Sequence, residues 1–329
     1  MDNFKALIVD KKENVFNVSV ANLNLNDLPE GDVVIKVAYS SVNYKDGLAA
    51  IPDGNIVRNY PHVPGIDLAG TVVSSTNKQF KEGDEVIATS YEIGVSHFGG
   101  YSEYARIPSE WIVPLPEGLS MKEAMAYGTA GFTAALSIQR LEDSGLTTDA
   151  GPVLVTGASG GVGSLAVAML GKLGYEVVAS TGKTSEHDYL YKIGAKEIIS
   201  REELQPEKIR PLDKQKWAGA IDPVGGKTLV YILSTTKYGG SVAVTGLTGG
   251  TNLPTTVFPF ILRGVNLLGI DSVYCPMEIR AELWKRMGDY LKLKQLAEIS
   301  NELTLEELPA TLNDILAGKV KGRTIVKLN

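Results

Sequence analysis

A short stretch in the middle of the chain, residues 153–164, constrains the fold more than any other. It reads Val-Leu-Val-Thr-Gly-Ala-Ser-Gly-Gly-Val-Gly-Ser. Its three leading apolar residues follow a Gly-Pro pair, as in a strand buried on both faces of a parallel sheet. Small and apolar residues at helical spacing follow from Leu165 to Leu173, and Gly174 ends that pattern. The stretch therefore predicts a strand, a glycine turn and a helix, the unit from which dinucleotide sites are built.

The glycine turn matches the G-x-G-x-x-G fingerprint, with Ala158, Gly160 and Gly163 at its three fixed positions. Glycine at the second position lets backbone N–H groups approach a pyrophosphate, and glycine at the third lets the helix pack close to the strand. An ordinary strand-to-helix turn of an α/β protein is the alternative that this motif alone leaves open. We expect cofactor contacts from Ser159, Gly160, Gly161, Val162 and Gly163.

The next apolar run, residues 176–180, predicts the strand whose end meets the adenosine ribose in a Rossmann fold. Sites that prefer NAD place Asp or Glu there, but this chain continues Ser180-Thr181-Gly182-Lys183. A carboxylate would repel a 2′-phosphate, whereas a hydroxyl and an ammonium group can bind one. We therefore predict NADPH as the cofactor, with these four residues at its 2′-phosphate. A solvated loop lysine is the alternative interpretation of Lys183.

The composition limits the classes of partner. A chain of 329 residues that is 44% hydrophobic is long enough for two domains with a sizeable core. Its net charge of -6 argues against nucleic acid, because no basic excess exists to neutralise phosphates. The single Cys275 excludes intrachain disulfides. No apolar run has the length of a signal peptide or a membrane span, so we expect a cytoplasmic protein without a membrane partner.

The first third of the chain is rich in short β-branched runs without helices between most of them. This spacing predicts a β-barrel-like domain, with strands at 4–9, 32–42, 68–74, 85–89, 101–107 and 111–114. From Ser120 the pattern becomes helical, and Ser120 and Glu123 have the spacing of a capping box. After the glycine turn we expect helices at 184–194, 225–236 and 276–293, and strands at 197–199, 217–221, 240–245 and 265–270.

Several motifs outside the glycine turn carry a family resemblance. They are Ser-Val-Asn-Tyr-Lys-Asp at 41–46, Pro-Gly-Ile-Asp-Leu-Ala-Gly at 64–70, Gly-Gly-Tyr-Ser-Glu-Tyr-Ala at 99–105, Gly-Thr-Ala-Gly-Phe-Thr at 128–133, Trp-Ala-Gly-Ala-Ile-Asp at 217–222, the segment 254–263 and the closing 322–328. With them, the chain resembles a zinc-free medium-chain dehydrogenase/reductase. It is most similar to the branch described as quinone oxidoreductases and acryloyl-CoA (acrylyl-CoA) reductases, and the resemblance spans nearly the entire chain.

The resemblance implies an α/β protein with two domains. One is a GroES-like β-barrel catalytic domain, residues 1–122, completed by the C-terminal residues 271–329. The other is a Rossmann domain with a doubly wound parallel sheet, residues 123–270, which binds the cofactor. The resemblance also implies a homodimer, formed when the last Rossmann strands near 265–270 pair across a two-fold axis.

No metal site is expected. Zinc-dependent members of the family carry Gly-His-Glu where this chain has Gly-Ile-Asp at 65–67. The single cysteine cannot replace the cysteine ligands of those relatives, and the three histidines are scattered along the chain. Because a tetrahedral zinc site needs thiolate or imidazole ligands, alcohol oxidation by Lewis-acid chemistry is not expected.

In proteins that resemble this one, the segment around Asn43 and Tyr44 lies at the nicotinamide, so both residues are predicted to be catalytic. The phenol of Tyr44 could bind the nicotinamide or a substrate carbonyl, or deliver a proton to the carbon beside the one that receives hydride. An aromatic residue that only lines the cleft is the alternative. In an extended segment, Lys45 and Asp46 would point in opposite directions, and Asp46 would orient its neighbours.

Two further cofactor contacts are predicted. Leu247 follows the strand at 240–245, where an open sheet meets the nicotinamide half of the ligand, and could offer backbone groups to the carboxamide. Arg323, in the Gly-Arg-Thr tail, could reach a phosphate, although a solvated tail arginine is equally consistent with the sequence.

The function implied by the resemblance is NADPH-dependent reduction of an activated C=C bond, with acryloyl-CoA as the first candidate substrate. A thioester of coenzyme A needs cations for its phosphates, and Arg58, Lys237 and Arg263 are available. The alternative is NADPH:quinone reduction, which needs the same hydride donor. A non-catalytic NADPH-binding sensor or structural protein is a further alternative.

Overall fold

The computed structural model describes residues 3–13 and 15–329. It divides into two compact units. Unit 1 contains the described residues up to Thr129, together with Val273–Tyr290 and Leu296–Asn329. Unit 2 contains Ala130–Ser272 and Leu291–Gln295. The boundaries thus fall a few residues beyond those predicted, and a five-residue segment of the C-terminal region belongs to unit 2.

The described residues form strands and helices in the following order. The strands are β1 (Phe4–Lys12), β2 (Val15–Leu23), β3 (Val33–Ser41), β4 (Asp67–Ser75), β5 (Glu85–Thr89), β6 (Tyr104–Ile107), β7 (Ile112–Pro114), β8 (Val153–Val155), β9 (Val177–Thr181), β10 (Glu197–Ser200), β11 (Trp217–Asp222), β12 (Thr236–Val244), β13 (Asn266–Gly269), β14 (Ser300–Thr304) and β15 (Arg323–Lys327). The helices are α1 (Tyr44–Ala49), α2 (Met121–Asp143), α3 (Gly161–Lys172), α4 (His187–Ile193), α5 (Gly226–Thr235), α6 (Phe258–Arg263), α7 (Met277–Gly288), α8 (Leu296–Ile299) and α9 (Leu308–Leu316).

Unit 1 is built on a sheet with the strand order β14-β15-β3-β4-β5-β7, and β6 pairs with β3. Strands β1 and β2 form a separate antiparallel hairpin. The sequence analysis did not predict β2, in which no described side chain is fully buried. The C-terminal strand β15 pairs with Ser40 and Ser41 of β3, so the tail completes the sheet of unit 1.

The segment that carries Tyr44 is helical, so the extended arrangement considered for Lys45 and Asp46 does not occur. Tyr44 is the first residue of α1, and Asn43 precedes it as the N-cap. The Asp46 carboxylate accepts a hydrogen bond from the Asn43 backbone N–H at 2.8 Å. This reciprocal Asn-x-x-Asp arrangement satisfies an otherwise unpaired donor, which stabilises a helix start.

Unit 2 contains a six-stranded sheet in the order β10-β9-β8-β11-β12-β13, and every described pairing in it is parallel. This is the doubly wound order, in which the direction of winding changes between β8 and β11. All three residues of β8 are buried, as the apolar run predicted. The predicted strand, glycine turn and helix are therefore confirmed, and they lie at the switch point where such sheets bind ligands.

Candidate active site

The glycine turn between β8 and α3 leaves no room for side chains. A Cβ atom on Gly163 would lie 2.2 Å from the Gly157 carbonyl oxygen and 2.7 Å from the Ala158 Cα. Gly157 itself has a φ of +53°, which L-residues rarely adopt. Gly160 is the N-cap of α3. The turn thus presents backbone N–H groups and the positive end of the helix dipole, as a pyrophosphate requires.

Two predicted contact residues from consecutive turns lie together in unit 2. The hydroxyls of Ser159 and Thr181 are 3.3 Å apart, and the Lys183 backbone N–H donates to the Thr181 hydroxyl at 3.2 Å. Ser180 and Thr181 are buried, Gly182 is exposed and Lys183 is half-buried. The end of β9 therefore offers hydroxyls and one ammonium group beside the glycine turn.

A second cation at this end of the sheet was not predicted. Ser200 of β10 pairs with Thr181 of β9, so Arg201 lies directly beside Gly182. A Cβ atom on Gly182 would come within 2.7–3.0 Å of the Arg201 guanidinium, which packs on the glycine backbone. The sequence shows an arginine after a predicted strand, but only the parallel register places it against Gly182, the residue before Lys183.

The opposite end of the predicted cofactor site lies after β12. The Thr245 hydroxyl is buried and has no hydrogen-bond partner among the described residues. Leu247 is 61% exposed, and its carbonyl accepts the Gly250 N–H at 2.9 Å. An unpartnered buried hydroxyl, a turn with no room for Cβ atoms and two neighbouring cations fit a phosphorylated dinucleotide.

Asp222 at the end of β11 caps a turn. Its carboxylate accepts N–H groups of Val224 at 3.1 Å and Gly225 at 2.9 Å, and also the Thr156 hydroxyl. Burial raises the pKa of Asp222 above its ordinary value. These bonds make Asp222 part of a turn and helix cap.

In unit 1, Tyr44 is 43% exposed, whereas Asn43 is 8% exposed. The Asn43 side-chain amide donates to Asp67 Oδ2 at 2.8 Å and accepts from Arg323 at 3.3 Å. Its backbone N–H donates a hydrogen bond to the Asp46 carboxylate. Because its polar atoms have partners inside the unit, Asn43 holds the segment that carries Tyr44. The structure does not support the predicted direct catalytic role of Asn43.

The carboxylate of Asp67 is the centre of this buried network. It accepts the Ser41 hydroxyl at 2.5 Å, the Thr129 N–H at 2.9 Å and the Thr129 hydroxyl at 2.5 Å, besides the Asn43 amide. The motif at 64–70 carried part of the family resemblance and lacked zinc ligands, but no role was predicted for Asp67 itself. Its contact partners are 24 and 62 positions away along the chain, so spacing gave no signal.

Arg323 belongs to the same network, and the predicted phosphate contact is not supported. Its guanidinium is 2% exposed and lies 3.9 Å from Asp67 Oδ2. It donates to the Val42 carbonyl at 2.9 Å, the Ala126 carbonyl at 3.1 Å and the Ser41 hydroxyl at 2.7 Å. A guanidinium with all of these internal acceptors neutralises a buried carboxylate and holds backbone in place.

Gly128 gives this network its space. Its φ is +51°, and a Cβ atom there would lie 2.6–2.7 Å from Asp67 Oδ2, Ser41 Oγ and an Arg323 nitrogen. Helix α2 is interrupted at this residue. The glycine that begins the motif at 128–133 is therefore required by close packing against charged groups.

Two of the three cations considered for coenzyme A, Arg263 and Lys237, donate to backbone carbonyls. Arg263 donates to the carbonyls of Ser234 at 2.9 Å and Asp213 at 2.5 Å, so it holds backbone within unit 2. The ammonium group of Lys237 donates to the Ala150 carbonyl at 3.0 Å. Lys237 is the second residue of β12, so it lies at the amino ends of the parallel strands, whereas the glycine turn lies at their carboxyl ends. Both side chains are therefore engaged with backbone carbonyls of unit 2.

Across the described ranges, no helix is both long and apolar enough to span a membrane. In the same part of the chain, no group of three or more His, Cys, Asp or Glu side chains is arranged to hold a metal ion.

Family models match both parts of the chain. The model for an alcohol dehydrogenase GroES-like domain matches residues 29–117, and the model for a zinc-binding dehydrogenase matches residues 161–288. These matches confirm the predicted fold class, a GroES-like domain followed by a Rossmann domain.

Individual relatives match over the full length. YhfP of Bacillus subtilis, provisionally named a quinone oxidoreductase, is 60% identical over 99% of both chains. Its crystal structure with NAD bound has a TM-score of 0.98 and covers 100% of each chain. The acrylyl-CoA reductase AcuI of Ruegeria pomeroyi is 52% identical over 99% of both chains. The YhdH oxidoreductase of Salmonella enterica, solved in complex with NADP, is 49% identical with a TM-score of 0.96, covering 99% of this chain and 100% of that one.

Proposed function

Since the chain belongs to the medium-chain dehydrogenase/reductase family, on the branch that contains acrylyl-CoA reductases and YhfP, we propose that it reduces acrylyl-CoA with NADPH. The observation that carries the proposal is the 52% identity to an acrylyl-CoA reductase over 99% of both chains. Two cations, Lys183 after β9 and Arg201 after β10, support NADPH over NADH as the donor, because a 2′-phosphate distinguishes the two cofactors.

The residues of unit 2 have defined tasks in this proposal. When bound, NADPH supplies the hydride. The first N–H groups of α3, with Ser159, Gly160, Gly161, Val162 and Gly163, hold the pyrophosphate. Lys183 and Arg201 bind the 2′-phosphate together with Ser180, Thr181 and Gly182. The buried Thr245 hydroxyl and the backbone of Leu247 hold the nicotinamide end.

Tyr44 supplies the polar group of unit 1. Its phenol is accessible and carries a proton that it can donate. A hydrogen bond to the thioester carbonyl stabilises the enolate that forms when the β-carbon receives hydride. Transfer of a proton to the α-carbon then completes the saturated thioester, so that one hydride and one proton are added across the C=C bond.

The proposal is tested by following NADPH oxidation with acrylyl-CoA, with NADH in place of NADPH, and with a soluble quinone in place of the thioester. We expect fast turnover that requires both NADPH and the thioester. Equal and poor rates with thioester and quinone would contradict the proposal.

Quinone reduction is the second candidate, because YhfP, which is 60% identical, is named a quinone oxidoreductase. Turnover of NADPH with the quinone but not with the thioester would make quinone reduction the first candidate. A protein that binds NADPH but consumes none with any activated alkene or quinone would be the sensor or structural protein considered from the sequence.

The apolar edge of unit 2 supports a homodimer. Strand β13 is the last strand of its sheet, and Val257, Phe258, Ile261 and Leu262 of the neighbouring segment are exposed. An unpaired edge beside apolar side chains is covered in stable proteins, and pairing of β13 with its copy would cover it. Sedimentation should give a dimer, and Ile261→Glu should shift it towards monomer.

A cytoplasmic location stays a prediction from the sequence.

A further inference from the structure

We propose that Asp46 is a positioning residue, which sets the place of Tyr44 by fixing the start of α1 to the start of β4. The inference rests on the proposed role of Tyr44 in the reductase reaction. It assigns a task to a buried carboxylate that does not itself contact the substrate.

The two oxygens of Asp46 connect two segments of unit 1. Oδ2 accepts the backbone N–H of Asn43, the residue before Tyr44, at 2.8 Å. Oδ1 accepts the backbone N–H of Ile66 at 3.0 Å, and β4 begins at the next residue. Asp46 is fully buried, so water does not compete for these bonds. The carboxylate therefore ties the helix start to the sheet at two fixed points.

The rest of α1 is held from two other directions. The Asn43 amide bonds to Asp67 and Arg323. A Cβ atom on Gly47 would lie 2.9 Å from Ile315 Cγ2 and 2.9 Å from Leu316 Cγ, so α1 packs closely on α9. With the body of the helix fixed by packing, Asp46 and the Asn43 side chain together place its first turn, where Tyr44 lies, and Asp46 alone ties that turn to Ile66.

The charges around Asp46 make its ionisation sensitive to pH. The titratable groups that face it are Asp67 at the start of β4, Arg323 at the start of β15 and the phenol of Tyr101 before β6. One buried arginine thus faces two buried carboxylates. Burial, and then the charge of Asp67, raise the pKa of Asp46 to about 7. Protonation removes the charge and makes one oxygen a hydroxyl, which is a weaker acceptor, so the hydrogen bond from one of the two N–H groups is weakened.

The kinetic test compares Asp46→Asn with a matched control, Glu123→Gln. Glu123 accepts the Ser120 backbone N–H at 2.9 Å with the same capping spacing, at the start of a different helix, α2. We expect kcat of Asp46→Asn to fall about tenfold with KM for NADPH changed less than about twofold, since small displacements of a reacting group cost rate rather than affinity. The control should keep the wild-type kcat.

The pH profile adds a readout that a purely structural role would not move. The kcat of the wild type should rise with pH through about 7, as Asp46 ionises and both N–H groups gain a charged acceptor. In Asp46→Asn this rise should be absent. An unchanged kcat, or the same rise in the variant, would overturn the proposal.

A spectroscopic test needs no turnover and therefore separates this inference from the proposed function. In protein labelled with nitrogen-15 tyrosine, the Tyr44 amide resonance is assigned by its loss in Tyr44→Phe. In the wild type it should move with a midpoint near pH 7, and in Asp46→Asn it should be displaced and independent of pH. A resonance that does not titrate in the wild type would overturn the proposal even where the variant fails to fold. Failure of turnover with a titrating resonance would instead count against the proposed reaction alone.

Discussion

The arginines at the two parts of the candidate site, Arg323 in unit 1 and Arg201 in unit 2, are held in opposite ways. In unit 1, Arg323, Asp67 and Asp46 are buried and their polar atoms are used within the unit. In unit 2, Arg201 is exposed at a strand end and makes no ion pair with any described residue. Buried charges with internal partners hold backbone and side chains in place. An accessible cation beside a ligand-binding turn can instead bind an anion. The comparison separates residues that build the site from residues that contact ligands.

The largest effect is expected when the buried network loses its only arginine. Arg323→Met leaves Asp67 and Asp46 without their cation, which should lower the free energy of unfolding by about 3 to 5 kcal/mol. The matched control is Arg201→Met, an exposed position where a change within about 0.5 kcal/mol is expected. Urea unfolding measures both. Equal effects in the two variants would remove the distinction between the units.

A methyl group placed against the network should have the next largest effect. Gly128→Ala forces a Cβ atom into Asp67, Ser41 and Arg323 at a φ of +51° and should cost about 2 to 4 kcal/mol of stability. The control is Gly174→Ala, which also has a positive φ but no atom within 4 Å of the new Cβ. Backbone strain alone should cost it about 1 kcal/mol. Thermal melts that show no difference would mean that the network yields easily.

In unit 2, reversing a charge should change cofactor choice rather than stability. Lys183→Glu should raise KM for NADPH by a factor that corresponds to a loss of about 1 to 3 kcal/mol in binding free energy. The KM for NADH should change little, because only NADPH carries the 2′-phosphate that the new carboxylate repels. Arg201→Glu should do the same. Lys196→Glu, the same charge change at an exposed position before β10, is the control. Steady-state kinetics with both cofactors provide the measurement, and an unaltered preference would disprove the 2′-phosphate assignment.

The smallest expected change is the loss of a single hydroxyl. Tyr44→Phe should lower kcat about tenfold, which corresponds to about 1.4 kcal/mol, with KM for acrylyl-CoA held. The fold should be intact because the phenol is accessible and its hydroxyl forms no hydrogen bond with another residue in the described part of the chain. Should kcat stay at the wild-type value, Tyr44 would retain only a packing role and the proton donor would lie elsewhere.

The sequence by itself determined the features that depend on near neighbours. The apolar run of β8, the glycines at 160 and 163 and the start of α3 lie within a dozen residues, and their pattern predicted the turn that the structure contains. The hydroxyls and the lysine at 180–183 were placed correctly at the end of β9 for the same reason. Strand and turn signals depend on local burial and backbone preference, which a short segment encodes.

Tertiary structure alone decided which distant residues meet. Arg201 lies beside Gly182 because β10 pairs with β9 in one register, and Asn43 meets Arg323 across 280 positions of sequence. The capping partner of Asn43 is only three positions away, yet the short helix that Asn43 begins was not predicted. Helix α1 is six residues long, too short for periodicity to reveal, and its packing on α9 and the buried network stabilises it. The local sequence pattern specifies helices and strands. Which distant residues contact each other is decided only in the folded chain, where strand register and buried charges bring them together.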